Sequence, residues 1–267
     1  MSEGDAVEAV EEPVTPERLA SDLRDLGVRG ETVLVHSSMS SLGWVPGGPQ
    51  GVVEALRDAV TEAGTIVVPT HTSHLCTPGV WENPPIPDDW LPAVRESMPA
   101  FRPDVTPSRG VGAVPECLRT HPDAVRSDHP QYSFAAWGAD ADAIVATHEL
   151  DRGLGENSPL SAVYDRDGLV LILGTGHDTN TSLHLAETRA DYERDETVEE
   201  GPMLVDGEHQ WVEFADIERT TDDFDAVGAA FEDDVGVETG RVGAADAKLL
   251  DQRALVDYAT EWFGRNR

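Results

Sequence analysis

The sequence predicts an α/β protein, and three observations carry that expectation. Residues 32–36 and 65–70 are short, uninterrupted apolar runs rich in β-branched side chains, as in strands buried on both faces. Between them Val52, Val53, Leu56 and Val60 recur at helical spacing, which makes a strand, helix, strand unit. Residues 168–174, Gly-Leu-Val-Leu-Ile-Leu-Gly, supply a third core strand. At 267 residues with 39% hydrophobic content the chain buries a sizeable core, and its length suits one large α/β domain as well as two small ones. We take 1–267 as a single domain with a disordered acidic tail over 1–14.

Each element has a local reason. Thr15-Pro16 reads as an N-cap with proline at the first helical position, opening a helix through Leu26 that ends near Gly27. The first strand runs into Ser37-Ser38-Met39-Ser40, and a crossover to the second makes the two parallel, so the Ser37 and Thr70 loops share one sheet edge. Residues 75–107 are crowded with prolines and carry Trp81 and Trp90, which predicts an irregular excursion, a lid. Helices are expected over 110–119 and 140–148, and a short strand over 132–138. Asn180-Thr181-Ser182 caps a helix beginning near Leu183. Residues 197–214 alternate around Asp206-Gly207, a hairpin signal. An acidic region and one helix over 245–263 complete the expectation.

Charge narrows the function. With 51 Asp and Glu against 19 Lys and Arg, the formal net charge is −32, which repels nucleic-acid phosphates and anionic lipid. Neither a nucleic acid nor a membrane surface is an expected partner. The one lysine, Lys248, and the acid excess fit a protein of a salt-loving organism. In near-molar salt the Debye length is about 3 Å, so the charge serves solubility rather than long-range steering. No apolar run approaches a membrane span, the first residues do not read as a signal peptide, and Cys76 and Cys117 form no framework. A cytoplasmic location is expected.

Several chemistries find no anchor. Gly47-Gly48 is followed by no Gly-Lys-Ser, so ATP chemistry lacks a P-loop, and Gly-Xaa-Ser-Xaa-Gly is absent. Cys117 reads as a buried, inert thiol. His71 and His74, with His36, His184 and Glu187, supply zinc-ligand types for a hydrolase, but their spacing follows a strand and precedes a proline, so no metal is expected. His184 and Glu187, three apart on one helix face, are a better pair: a carboxylate fixes the imidazole tautomer and leaves the other nitrogen as a general base. An ordinary surface pair has the same spacing.

A resemblance favours the catalytic reading. Residues 153–160, Gly-Leu-Gly-Glu-Asn-Ser-Pro-Leu, then Tyr164, 167–174 and Thr181-Ser182-Leu183-His184-Leu185-Ala186-Glu187 are similar to the signature of the aminoglycoside N3-acetyltransferase family. His36-Ser37-Ser38, Leu42-Gly43, Gly47-Gly48, Pro69-Thr70, 112–119 and 127–130 with Ser133 occur in the family's order. The resemblance implies a central mixed sheet flanked by helices with a smaller antiparallel element near 197–214. It also implies an acetyl-CoA-dependent N-acetyltransferase, in which an amine of an aminoglycoside or related amino-sugar attacks the thioester directly and His184 takes its proton. Another amine acceptor on the same fold is the alternative. Either Glu187 or Asp216 partners the histidine.

The cofactor-binding residues expected are His36, Ser37, Ser38, Thr70, Arg109, Gly110, Ser158, Thr181 and Ser182, with Ser37, Ser38 and Thr181 as donors to a developing oxyanion. Thr72 and the acidic lid residues Glu82, Asp88 and Asp89 are expected at a cationic acceptor. The protein is expected to work as a monomer or homodimer.

Overall fold

The computed structural model describes residues 3–81 and 84–267. In chain order the elements are α1 (Glu3–Glu8), α2 (Pro16–Leu26), β1 (Thr32–Ser37), α3 (Pro49–Val60), β2 (Thr65–Pro69), α4 (Leu91–Ser97), α5 (Ala113–Arg119), β3 (Val125–Arg126), β4 (Phe134–Gly138) and α6 (Ala141–Val145). Then come α7 (Pro159–Tyr164), β5 (Leu169–Leu173), α8 (Ser182–Arg189), β6 (Glu196–Val205), β7 (Glu208–Ile217), α9 (Phe224–Val235), β8 (Glu238–Val242), β9 (Ala245–Asp251) and α10 (Gln252–Asn266).

Seven strands make one mixed sheet in the order β3-β4-β2-β1-β5-β9-β8. β1 pairs in parallel with both β2 and β5, Val33 facing Ile66 on one side and Leu169 on the other. The chain therefore leaves β1 first toward one neighbour and later returns on the opposite side, and the carboxyl ends of all three strands share an edge where such a reversal opens a crevice. Both faces of the sheet are covered. Val33, Val35, Ile66 and Val68 pack with α2, α3 and α5, while Leu34, Val67, Val170 and Ile172 pack with α7 to α10. Burial on both faces explains why these strands read as continuous apolar runs.

β6 and β7 form the separate antiparallel pair, closed by Asp206 (φ 54) and Gly207 (φ 83). Two successive positive φ values are what a two-residue hairpin needs to match the strand twist, and Asp-Gly supplies them at little cost.

Three expectations are corrected. Residues 245–251 are not helical: they form β9, antiparallel to β5, with Leu171 opposite Leu249, and only then does Asp251 cap α10 by accepting from Ala254 N–H. Ala-Asp-Ala-Lys-Leu-Leu has no β-branched residue, and pairing beside the core strand overrides its helical propensity. The acidic region before it holds α9, anchored by buried Phe224, Val227 and Phe231, and β8. The acidic start is ordered where described: residues 3–8 are helical, Val14 is fully buried and its N–H bonds Trp44 O at 3.0 Å.

The proline-rich excursion carries α4 and docks on the hairpin. Leu75, Met98 and Phe101 form a small core with Trp81, Val94 and Trp211. Phe101 N–H donates to Pro202 O at 2.7 Å, and the Arg95 guanidinium stacks 4.1 Å over Trp211 while donating to both carboxylate oxygens of Glu200.

Candidate active site

A cavity of about 610 Å³ opens at the shared carboxyl edge of β1, β2 and β5. Its walls come from His36 and Ser37 at the end of β1, Ser38 and Ser40 after it, His71 after β2, Gly110 to Ala113 at the start of α5, and Thr175, Asp178, Thr179 and Thr181 after β5. The strand-to-loop transitions put short polar side chains here because the apolar runs end at this edge. Glu116 of α5 fixes the third wall: it accepts from Ser108 N–H at 2.9 Å and Ser108 Oγ at 2.6 Å and pairs with Arg119. Although burial works against its charge, these donors hold the Glu116 carboxyl down at about 2.

Of the cofactor residues expected, His36, Ser37, Ser38, Gly110 and Thr181 line this cavity, and Arg109 lies beside Gly110 in an adjoining one. Ser37 Oγ, on the wall of this cavity, is buried and has no hydrogen-bond partner among the described residues. Thr181 Oγ1 sits 3.4 Å from His36 Nε2. Ser38 N–H is already spent on Leu173 O at 2.9 Å, so it is not a free oxyanion donor. Three other residues do not reach the cavity and have structural partners instead. Thr70 bonds Ser133 O and accepts from Arg126, Ser158 Oγ donates to Gly155 O at 2.6 Å ahead of α7, and Ser182 Oγ accepts from Gln252. Among the described residues Arg126 pairs with no carboxylate; it donates to Thr70 O, Thr106 O and Pro103 O, and burial lowers it to about 9.

His184 lies one turn along α8 from Thr181. Its Nδ1 is 2.8 Å from Glu187 Oε2, its side chain is 13% exposed, and Glu187 is fully buried. With Nδ1–H donated to the carboxylate, Nε2 keeps its lone pair. Burial pushes the His184 imidazole below its ordinary range, against the pull of Glu187 and aided by Arg219. Glu187 is itself held down despite its burial, by His184, Arg267 and the Thr220 N–H. The geometry answers the choice of partner: Asp216 does not contact His184 but accepts from Arg219 at 2.6 Å and from Ile217 N–H at 2.8 Å.

His36 and His71 flank this pair as neutral imidazoles, each lowered to about 3 by burial and then by neighbouring histidines, His184 among them. His71 also lines a second cavity of about 410 Å³ with Gln131, Tyr132, Thr197, Glu199 and Glu200. There Tyr132 Oη donates to both oxygens of Glu199, at 2.9 and 3.0 Å. Burial raises the Glu199 carboxyl, and the nearby charge of Asp216 adds to it. Two cavities, one of short hydroxyls and one acidic, thus meet at His71; His184 lines neither, but its charge is felt at His36 and His71.

The acceptor residues expected in the lid are placed otherwise. Asp88 and Asp89 are exposed on a short 3-10 turn and line none of these cavities, and Glu82 lies outside the described residues. Thr72 is buried and hydrogen-bonded to Pro130 O. The carboxylates that line the second cavity are Glu199 and Glu200 of β6, which alternation along a strand does not single out. The histidines do not assemble as zinc ligands: among the described residues no three His, Cys, Asp or Glu are placed to hold an ion.

The mixed α/β sheet and the buried carboxylate–histidine pair on α8 define an α/β protein with a general-base type of site. The chain belongs to the aminoglycoside 3-N-acetyltransferase family, whose model matches residues 34–264. The SPbeta prophage-derived aminoglycoside N(3')-acetyltransferase-like protein YokD of Bacillus subtilis is 44% identical over 263 residues, covering 97% of this chain and 96% of that one. The crystal structure of YokD superposes with a TM-score of 0.96 at 43% identity, covering 98% of both chains. AAC-IIIb, solved as a binary complex with CoASH, matches with a TM-score of 0.85 at 32% identity over 95% of this chain and 97% of its own. AAC-VIa bound to sisomicin matches at 0.86 and 32% identity over 96% and 99%. The hydrolase alternative finds no support in these relatives.

Proposed function

We propose that the protein transfers the acetyl group of acetyl-CoA to a primary amine of an aminoglycoside or related amino-sugar by direct attack on the thioester. The observation that carries this reading is the His184–Glu187 pair, whose imidazole acts electrostatically on His36 and His71, the histidines that line a hydroxyl-lined cavity and, for His71, an acidic one as well. The thioester end of acetyl-CoA lies along His36, Ser37, Ser38 and Thr181, where Ser37 Oγ has an unmet hydrogen bond. The cationic acceptor enters past Glu199, Glu200 and Tyr132.

The amine lone pair forms the new C–N bond while Nε2 of His184 takes the amine proton. The tetrahedral carbon then expels the CoA thiolate, which takes the proton back from Nε2, so the enzyme returns to its starting state. A base held below the usual imidazole range is neutral at pH 7 and ready to accept that proton. Glu187 stabilises the imidazolium as it forms.

On this reading residues 1–267 act as a single domain, as a monomer or homodimer in the cytoplasm, and the surface acid keeps the enzyme soluble in high salt. The test is mass spectrometry of an aminoglycoside panel incubated with enzyme and acetyl-CoA in high salt. One acetyl group per acceptor, placed on an amine, supports the reading; acetyl-CoA bound with no acceptor modified overturns it.

A further inference from the structure

Glu187 is buried within a protein of large negative charge, and its two oxygens are used differently. Oε2 faces His184 Nδ1 at 2.8 Å. Oε1 accepts from Nη1 of Arg267 at 2.6 Å and from Thr220 N–H at 3.2 Å. The other nearby cation, Arg219, is 3.7 Å from Oε2 and spends its short hydrogen bond on Asp216. Arg267 is therefore the charged group in direct hydrogen bond with the oxygen that His184 does not use.

Arg267 is in turn held by several groups. Its Nε and Nη2 fork onto the two oxygens of Asp223 at 2.8 and 2.5 Å, Nη1 also reaches Tyr192 Oη at 3.0 Å, and the guanidinium lies 4.0 Å over Phe263. Its side chain is 10% exposed. A guanidinium fixed on one side by a carboxylate and an aromatic face presents its remaining donor in one direction, and that direction is Glu187.

We propose that Arg267 is a positioning residue of the acetyl-transfer site, locking Glu187 in the rotamer and charge state that orient His184 Nδ1. The proposal rests on the acetyl-transfer reading above. Arg267 lines neither cavity; it acts on the reacting imidazole through the carboxylate. A buried carboxylate that loses an arginine partner either binds a proton or turns toward another donor. Loss of the positive charge also lets the His184–Glu187 pair keep its proton to higher pH. The first effect leaves less correctly oriented base and lowers kcat; the second raises the proton affinity of the pair and moves the acid limb of the rate profile upward.

The experiment compares kcat against pH for wild type, Arg267→Gln and Arg267→Lys in high salt, with thermal melts to confirm folding. Arg267→Gln is expected to lower kcat at pH 7 by about tenfold or more, leave the KM for acetyl-CoA within about twofold, and raise the acid limb by about one pH unit. Arg267→Lys keeps the charge but not the fork, so its limb stays near that of wild type and much of the rate returns. An unmoved limb in Arg267→Gln, with kcat within about threefold or with both variants equally impaired, overturns the proposal. The His184 ring titration, followed by NMR in the free protein and assigned with His184→Ala, separates this from the functional reading because it needs no turnover. An upward shift in Arg267→Gln upholds the positioning role even if no acceptor is found, and an unchanged titration rejects it.

Discussion

Oε2 of Glu187 lies 2.8 Å from Nδ1 of His184, whereas the buried carboxylate of Asp216 is bound to Arg219 at 2.6 Å. The two carboxylates therefore have different jobs on the proposed mechanism. Glu187→Gln is expected to lower kcat by about a hundredfold, since an amide neither holds the tautomer as well nor stabilises the imidazolium. Asp216→Asn is expected to lower it less than about tenfold and to cost about 2–4 kcal/mol of stability by leaving Arg219 without its carboxylate. Steady-state kinetics with chemical denaturation on both variants separates the roles.

Ser37 and Ser158 offer an opposite pair. Ser37 Oγ has no partner within the protein, so Ser37→Ala should leave the free enzyme as stable as wild type or slightly more so while weakening acetyl-CoA. Ser158 Oγ donates to Gly155 O, and Ser158→Ala should cost about 1 kcal/mol of stability with no change in the KM for acetyl-CoA. Calorimetric titration with CoA and thermal melts check both.

On the proposed mechanism acceptor recognition falls to the hairpin rather than to Asp88 and Asp89. Glu199→Gln is expected to raise the acceptor KM by about tenfold and to leave that of acetyl-CoA unchanged, because Glu199 lines the acidic cavity with Tyr132. Asp88→Asn and Asp89→Asn, on the exposed turn, are expected to change neither KM by more than about twofold. Kinetics with a tri- or tetra-amine acceptor distinguishes the two sites.

Buried neutral histidines make stability depend on pH. His36, His71 and His129 are lowered from 6.5 to about 3 and His148 to about 4, each chiefly by burial. Unfolding lets each take a proton at its ordinary value, so their contribution is complete above pH 6.5 and is lost as pH falls from 6.5 toward 3. Each histidine adds a slope of up to about 1.4 kcal/mol per pH unit within that window. Denaturant midpoints at pH 7, 6 and 5, at fixed high salt, should therefore fall steeply below pH 6.5, and a flat profile there would contradict the assignment of neutral rings.

Much of the fold was legible because its parallel strands are buried on both faces. The runs at 32–36, 65–70 and 168–174 became β1, β2 and β5, and the Asp206-Gly207 turn closes the expected hairpin. β9 was not legible, since Ala245 to Leu250 has helical propensity and becomes a strand only when paired with β5. The candidate site was legible where local spacing carries it, as for His184 and Glu187 on α8 and for the loops after β1 and β5. Arg267, Arg219 and Glu199 were not, because they meet α8 and the acidic cavity through tertiary contacts. Arg267 is 80 residues from the carboxylate it holds, and no spacing rule spans that distance. Asp88 and Asp89, expected at the acceptor, lie on an exposed turn, because nothing in a local acidic run fixes which way the segment faces.

The most direct measurement is acceptor-dependent thiol release from acetyl-CoA in high salt, wild type against His184→Ala, with acetyl-CoA binding measured on both. The account predicts release that depends on the amine acceptor, falls by about a thousandfold or more in His184→Ala, and leaves acetyl-CoA affinity within about threefold. Release that persists in His184→Ala at a comparable rate would contradict the assignment of His184 as the base.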